Sequence, residues 1–361
     1  MSDSLDPIVA AWADRIRAAA ADRIALHVRG GGSKDFYGRS VRGERFDTTD
    51  YRGIVAYEPT ELVVTVRAGT PLAELEAELA AKGQMLAFEP PHFGSGATVG
   101  GAVAAGLSGP RRAAAGALRD FVLGVKLLDG RGEVLRFGGQ VMKNVAGYDV
   151  SRLMAGSLGT LGVLLEVSLK VLPRPVAEAT LRFDLGEAEA IGRLNAWGGR
   201  PLPISASAWA DGALTVRLSG AEAAVQAALA DLGGERVGAD EAAAFWLGVR
   251  EQTLPWFGAG VGGGALWRLS MPSAAAPLKL GGERFMEWGG AQRWLRSTEP
   301  AGRIRERAAQ LGGHATLFRG GDRSGAVFHP LPAPLLAIHR RLKDAFDPAD
   351  IFNPGRLHQD F

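Results

Sequence analysis

Apolar residues Ile8, Trp12 and Ile16 recur at helical spacing, so residues 4–21 predict an amphipathic helix with Ser4 placed as its N-cap. The apolar stretch Ile24 to Arg29 follows as a short strand and runs directly into Gly30-Gly31-Gly32-Ser33-Lys34. Ile54–Tyr57 and Leu62–Arg67 predict two more strands joined by Glu58-Pro59-Thr60. Leu72, Leu75 and Leu79 then line one face of a helix, with Thr70 as N-cap, Pro71 in the first turn and Lys82-Gly83 closing it. Phe121–Leu128 and Gly132–Phe137 alternate around Asp129-Gly130, a hairpin signal. The run Val163–Leu172 predicts a further strand, ended by Pro173 and Pro175.

From about residue 176 the rhythm changes. Strand patterns at 179–184, 203–210 and 213–218 alternate with alanine-rich helical patterns at 186–197 and 221–232, and Asp211-Gly212 marks a hairpin. Further strands are predicted at 265–271, 285–295 and 314–319. This is an α+β pattern, and a ferredoxin-like β-α-β-β-α-β core is one arrangement that it allows. Leu335, Ile338, Leu342 and Phe346 share one side of a last helix, Pro334 to Phe346, which Asp347-Pro348 stops before a turn at Asn353-Pro354-Gly355.

Composition narrows the class. At 361 residues the chain is long enough for two domains. With 47% hydrophobic and 22% charged residues it has an ordinary globular balance. The net charge is only +2 and the basic residues are scattered, so the pI of about 9.0 is no nucleic-acid footprint. The absence of Cys excludes a disulfide, a thiolate-held iron–sulfur cluster and a cysteinyl flavin link in this polypeptide. The N-terminal MSDSLDPIVAAWADRIRAA is acidic where a signal peptide is basic. The most apolar later stretch, Leu153–Leu172, is broken by Gly156, Gly159, Glu166 and Lys170, so no membrane span is expected.

Chemistry concentrates in the glycine-dense stretch Pro90–Gly116, which has no acidic residue and only Arg111 and Arg112 as charges. Glycine at that density lets backbone N–H groups come close to a ligand, and phosphate oxygens suit such concavities. A flexible linker is the alternative, set against the interspersed Val99, Val103 and Leu107. Gly94, Gly96 and Gly100 come within one residue of a dinucleotide fingerprint, but Pro90-Pro91 deny it the strand that must feed it. The earlier loop, Gly30 to Lys34, is a second anion cradle without Walker A spacing, or else a surface turn.

Three segments in this order resemble the FAD domain of the vanillyl-alcohol-oxidase (PCMH-type) flavoprotein superfamily: RGGGSKD at 29–35, GSGATVGGAVAAG at 94–106 and GSLGTLGVLLEVSL at 156–169. The segments at 120–138 and 143–156, with DPADIFNPGR at 347–356, resemble its 2-hydroxyacid dehydrogenase branch. EPPHFG, AGLSGPRR, MKNVAGYDVSRLMAGSLG and WGGAQRWL are similar to the family of smaller, flavin-binding (E-type) subunits of bacterial glycolate oxidase. The resemblance implies an FAD-binding PCMH-type domain of two α+β subdomains over residues 1–175. An α+β cap domain follows over 176–330, and a C-terminal helix and tail over 331–361 return to the FAD domain. It implies oxidation of glycolate or a related small 2-hydroxyacid. As partners it implies a larger paralogous flavin subunit and an iron–sulfur subunit. The expected location is cytoplasmic, with any membrane attachment peripheral and through those partners.

The resemblance assigns Gly30, Gly31, Gly32 and Ser33 to the pyrophosphate loop. It assigns Thr98, Val99, Gly100 and Gly101 to a second flavin turn, and Gly159, Thr160, Gly162 and Val163 to a third. Lys34, Arg111 and Arg112 are the cations available to the pyrophosphate. Relatives with covalent flavin use a His where Ser33 stands, or a Cys, so the FAD is expected to be non-covalent. The branch's HxGDGNxH-type cluster has no counterpart around Gly313-His314, and Ala102 and Gly106 replace its asparagines. A flavin-bearing relay subunit without a substrate site, or a stand-alone sugar or alcohol dehydrogenase, therefore remain alternatives. None of the six histidines has metal-ligand spacing, and His92 lies beside the flavin loop. Lys143 and Tyr148 face either the flavin or the following helix, and Arg268, Arg319 and His314 are the candidates for a substrate carboxylate and hydroxyl.

Overall fold

The computed structural model describes residues 6–139, 149–258 and 264–359. Helix α1 (Pro7–Asp22) is capped by Asp6, whose carboxylate accepts the Ile8 N–H at 3.0 Å; Ser4 lies outside the described residues. Pro7 at the first helical position holds the residue before it extended, which puts Asp6 in the capping conformation. The helix buries Val9, Ala13, Ile16 and Ala19. Trp12 sits at the edge of that face, against the rings of Phe46 and Tyr51.

Strand β1 (Leu26–Arg29) pairs in parallel with β2 (Glu44–Asp47). Strands β3 (Ile54–Glu58) and β4 (Val63–Arg67) precede α2 (Leu72–Ala81) and β5 (Gln84–Met85). Thr70 does not cap α2. Pro71 holds that position, and the Thr70 hydroxyl instead donates to the Arg67 carbonyl and accepts the Gly53 N–H. Next come α3 (Val99–Ala105), α4 (Arg112–Ala115), α5 (Leu118–Phe121), β6 (Val122–Leu128) and β7 (Val134–Gly138). The first half ends with α6 (Val150–Leu153), β8 (Val163–Lys170) and β9 (Leu172–Pro173).

The antiparallel sheet β3-β4-β8-β6-β7 is covered on both faces. That is why β8 reads as an almost continuous apolar run rather than an alternation. Val163 and Leu165 of β8 face α1, Leu26, Phe46 and Phe352. Val167 and Leu169 face α2 and α3 through Leu72, Leu75, Leu79, Val99 and Val103.

In the second half, β10 (Ala177–Asp184), α7 (Glu187–Gly198), β11 (Ile204–Ala210), β12 (Ala213–Gly220), α8 (Glu222–Leu232) and β13 (Glu235–Val237) form a β-α-β-β-α-β unit. Its strand order, β13-β10-β12-β11, is the ferredoxin-like one. Helix α9 (Ala239–Glu251) follows, then β14 (Ala265–Ser270), β15 (Glu283–Glu287), β16 (Gln292–Ser297), α10 (Ala301–Gln310), β17 (His314–Arg319) and α11 (Ala333–Phe346). These strands extend the sheet from β11 as β15-β16-β14-β17, giving eight strands. The single strand expected over 285–295 is a hairpin, because Trp288, Gly289 and Gly290 all take positive φ (56°, 65° and 99°). One apolar cluster joins the halves, with Tyr37, Leu107 and Leu158 from the first and Trp246, Phe285, Trp294 and Phe318 from the second.

Candidate functional site

The three glycine turns meet at the end of β1. The loop after β1 lies directly on the segment before α3: a Cβ on Gly31 would stand 1.4 Å from the Gly96 carbonyl oxygen. A Cβ on Gly30 would stand 2.5 Å from the Thr98 hydroxyl oxygen. Only glycine permits that approach of two backbones. Thr98 caps α3, its hydroxyl accepting the Gly101 N–H at 3.1 Å. Gly100 rests on Ala68, where a Cβ would come within 2.7 Å. Gly159 holds φ +71° opposite the Asn353 side chain.

A cleft of about 750 Å³ opens between these turns. Gly30, Gly31, Gly32, Ser33, Lys34, Thr98, Gly100, Gly101, Gly159 and Gly162 line it, so the structure brings all three expected turns together. Val99, Thr160 and Val163 lie behind its wall, at most 1% exposed, and hold the turns from below. Arg111 is not brought to the cleft. Its guanidinium is 2.6 Å from the Glu178 carboxylate and 3.4 Å from that of Glu89, and its N–H donates to Glu89. An arginine spent on two carboxylates has no charge left for an anion elsewhere. Arg112 stacks on Trp288 at 4.4 Å.

The backbone N–H groups from Gly30 to Lys34 donate to no acceptor among the described residues. Donors left free along a loop that also admits no Cβ make an anion cradle. Positive charge surrounds it. Burial pushes the Lys34 ammonium down to about 8, with only Glu251 pulling it up. Its Nζ donates to the His92 carbonyl at 3.2 Å and to Ser33 Oγ at 3.3 Å. Arg356, 7% exposed, donates to the Lys34 and Asp35 carbonyls. Arg29 pairs with Asp35, the one carboxylate on the lining, at 2.7 Å. His27 is held below its usual range by burial and then by the Arg356 charge.

Sequence reasoning missed four of these: Arg29, Asp35, Asn353 and Arg356. Asn353 bridges the turns, accepting the Val28 N–H at 2.9 Å and donating to the Leu158 carbonyl at 2.7 Å. The Asn353-Pro354-Gly355 turn signal was visible, but nothing local says which distant backbone it serves.

The substrate-side candidates are scattered around the junction of the two halves. Arg268 donates to Gln292 Oε1 at 2.7 Å, and Arg319 stacks on Phe36 at 4.3 Å and Phe93 at 4.8 Å. His314 is exposed, its ring 6.2 Å from that of His329. His92 is tied to Glu76 at 3.0 Å and to Glu251 through its backbone. Lys143 and Tyr148 lie outside the described residues. Among the described residues no cluster of His, Asp or Glu is placed to hold a metal ion, and no helix is long and apolar enough to cross a membrane.

Residues 9–138 match the FAD binding domain family, and residues 331–357 match the C-terminal domain of FAD linked oxidases. The glycolate oxidase subunit GlcE of Escherichia coli is 51% identical over 345 residues, 96% of either chain. The glycolate oxidase subunit GlcD of Bacillus subtilis is 35% identical over 130 residues, 36% of this chain and 27% of that one. Among solved structures, alkyldihydroxyacetonephosphate synthase superposes with a TM-score of 0.65 over 96% of this chain and 75% of that one, at 14% identity, a likeness of fold. The cleft fits the flavin dinucleotide that these matches imply, since unpaired N–H groups and flanking cations are what a pyrophosphate needs.

Proposed function

This chain belongs to the FAD-linked oxidase family, and on that premise we propose that it is the FAD-binding subunit of a glycolate-oxidising complex. The observation that carries this reading is a coincidence of place: the family's FAD domain includes the loop whose residues line the cleft and whose N–H groups donate to no acceptor among the described residues. Gly30, Gly31, Gly32 and Ser33 hold the pyrophosphate, with charge from Lys34 and Arg356. The turns at Thr98–Gly101 and Gly159–Gly162 close around the rest. Bound there, FAD supplies the two-electron acceptor for oxidising glycolate or a related 2-hydroxyacid to the 2-oxoacid. The attachment is non-covalent, since the chain has no Cys and Ser33 offers no bond to the ring.

The division of labour we propose follows the expected boundaries: residues 1–175 bind FAD, 176–330 cap it, and 331–361 return to brace the FAD domain. The partners are a larger, GlcD-like flavin subunit and an iron–sulfur subunit, in the cytoplasm or held at a membrane face through them. With no Cys of its own, the chain passes electrons to another chain or to a soluble acceptor.

The test is purification of the chain alone and with co-expressed partners. Acid precipitation is expected to release all flavin into the supernatant as FAD; flavin retained on the denatured chain sinks the non-covalent assignment. Anaerobic mixing with glycolate is expected to bleach the complex rapidly and the isolated chain slowly or not at all. A relay role without substrate is the second reading, favoured by an exposed His314 that belongs to no cluster of metal-holding side chains among the described residues. It wins if a partner-free flavin never bleaches and the partner's flavin alone accounts for turnover.

A further inference from the structure

Lys34, on the lining of the cleft, is held in place from the other half of the molecule. Its Nζ donates to the His92 carbonyl at 3.2 Å and to Ser33 Oγ at 3.3 Å, and lies 5.7 Å from the centre of the Phe93 ring. His92 and Phe93, in the loop before α3, therefore set where the ammonium stands. That loop is fastened in turn by Glu251, the last residue of α9, across 159 residues of chain. Glu251 Oε2 accepts the His92 N–H at 3.0 Å and the Phe93 N–H at 2.8 Å. Its Oε1 accepts from Arg250 Nε at 2.8 Å.

Two costs at this contact need a cause. Phe93 holds φ 54°, a conformation rare for a bulky side chain, so its turn has to be fastened from outside. The two N–H groups taken by Glu251 supply that hold. A neutral acceptor would fasten the loop as well, whereas a carboxylate beside an anion cradle repels the anion. Arg250 offsets only part of that charge. The rest bears on Lys34: burial drives the ammonium down, and Glu251 is the charge that raises it. The other charges around Lys34 have partners of their own. Glu76 of α2 pairs with His92 Nε2 at 3.0 Å and with Arg250 at 3.6 Å, and Asp35 pairs with Arg29 at 2.7 Å. Arg319 of β17 stacks on Phe93 at 4.8 Å, and Arg356 of the tail donates to the Lys34 carbonyl at 3.4 Å.

We propose that Glu251 is a positioning residue for the cofactor site: through the His92 carbonyl and through its own charge, it fixes the Lys34 ammonium at the cleft. The seating of α9 on the first half thereby sets how much positive charge the cradle offers to a bound diphosphate. The inference rests on the reading of the cleft as an FAD site and adds to that site a residue from the second half.

The experiment titrates Lys34 in the flavin-free full chain by NMR of carbon-13-labelled lysine, the signal being assigned by its loss in Lys34→Met. Glu251→Gln keeps an acceptor oxygen and removes the charge, so the Lys34 midpoint is expected to fall by at least about 0.5 pH unit. FAD affinity, followed by flavin fluorescence, is expected to begin its decline with rising pH earlier by the same amount. At about pH 6.5, where Lys34 is charged in both chains, the affinities are expected to agree within about threefold. Glu76→Gln breaks the neighbouring contacts to His92 Nε2 and Arg250 and is expected to leave the midpoint in place. Should Glu251→Gln fail to fold, judged by circular dichroism, Glu251→Ala replaces it with the same expected shift. An unmoved Lys34 midpoint in the folded Glu251 variant, or an equal shift in Glu76→Gln, overturns the proposal and leaves Glu251 a structural link. A chain that takes up no FAD at any pH sinks the flavin reading, while the Lys34 titration still decides the role of Glu251.

Discussion

Asn353 donates its side-chain N–H to the Leu158 carbonyl at 2.7 Å, across 195 residues of chain, while its Oδ1 accepts the Val28 N–H at 2.9 Å. One amide thus ties the strand that enters the first glycine loop to the turn that carries Gly159. Asn353→Ala leaves both backbone groups without a partner, at ~1–3 kcal/mol for each that stays buried. The expected outcome is a lower unfolding midpoint and at least tenfold weaker FAD retention. Asn353 holds φ 42°, so Asn353→Gly removes the same bonds without the left-handed strain of Ala, roughly 1 kcal/mol. Comparing the two by denaturant titration separates strain from lost pairing. Full FAD occupancy in both variants would show that the tail does not position the site.

Gly31→Ala is expected to abolish FAD retention by itself, without any added charge. Its Cβ would stand 1.4 Å from the Gly96 carbonyl oxygen, and backbone, unlike a flexible side chain, has little room to yield. The two loops must separate, and the cradle widens. Gly53→Ala is the control: its φ of +120° strains an added side chain, a strain absent at Gly31, but no atom lies within 4 Å of the added Cβ. It is expected to lose stability yet purify with normal flavin. Normal flavin stoichiometry in Gly31→Ala means that the first loop is misassigned.

What the sequence revealed and what it hid divides along sequence separation. Gly30–Lys34, Thr98–Gly101 and Gly159–Gly162 were legible because each turn announces itself within a few residues. The β-α-β-β-α-β unit was legible for the same reason, since its hairpin at Asp211-Gly212 is a local signal. Arg111 was misplaced because its carboxylates, Glu89 and Glu178, sit 22 and 67 residues away. An arginine beside a glycine loop looks free until those partners are known. Arg356 was overlooked for the converse reason: it reaches the cradle from 321 residues away, through the Asp35 carbonyl. The hairpin within 285–295 was hidden because Trp288, a residue that rarely takes positive φ, opens the turn.

Lys343 is 2% exposed, and its ammonium donates to the Thr160 and Phe352 carbonyls and, at 2.6 Å, to Asp347. Asp347 in turn accepts the Ile351 and Phe352 N–H groups, so the pair folds the tail onto the third glycine turn. Removing one member of a buried pair leaves the other charge uncompensated. Lys343→Met is therefore expected to cost about 3–5 kcal/mol in urea denaturation. Lys343→Arg should not restore it, because a planar guanidinium cannot reach three acceptors arranged for a compact ammonium. A loss below about 1 kcal/mol would mean that the pair contributes nothing net.

The affinity for FAD is expected to fall as pH rises from 7 to 9. Burial holds the free Lys34 ammonium down to about 8, so the group is mostly charged at pH 7 and mostly neutral at pH 9. A pyrophosphate in the cradle favours the charged form and raises that pKa, so above pH 8 binding must take up a proton. One proton taken up means a loss of roughly tenfold in affinity across those two pH units. The check is FAD dissociation measured by flavin fluorescence at several pH values, at constant ionic strength. Lys34→Met is expected to bind weakly at pH 7 and to show a flat profile up to pH 9. A flat profile in the unmutated chain would place the Lys34 charge outside the cradle's field, and the pyrophosphate would then rest on the backbone donors and Arg356 alone.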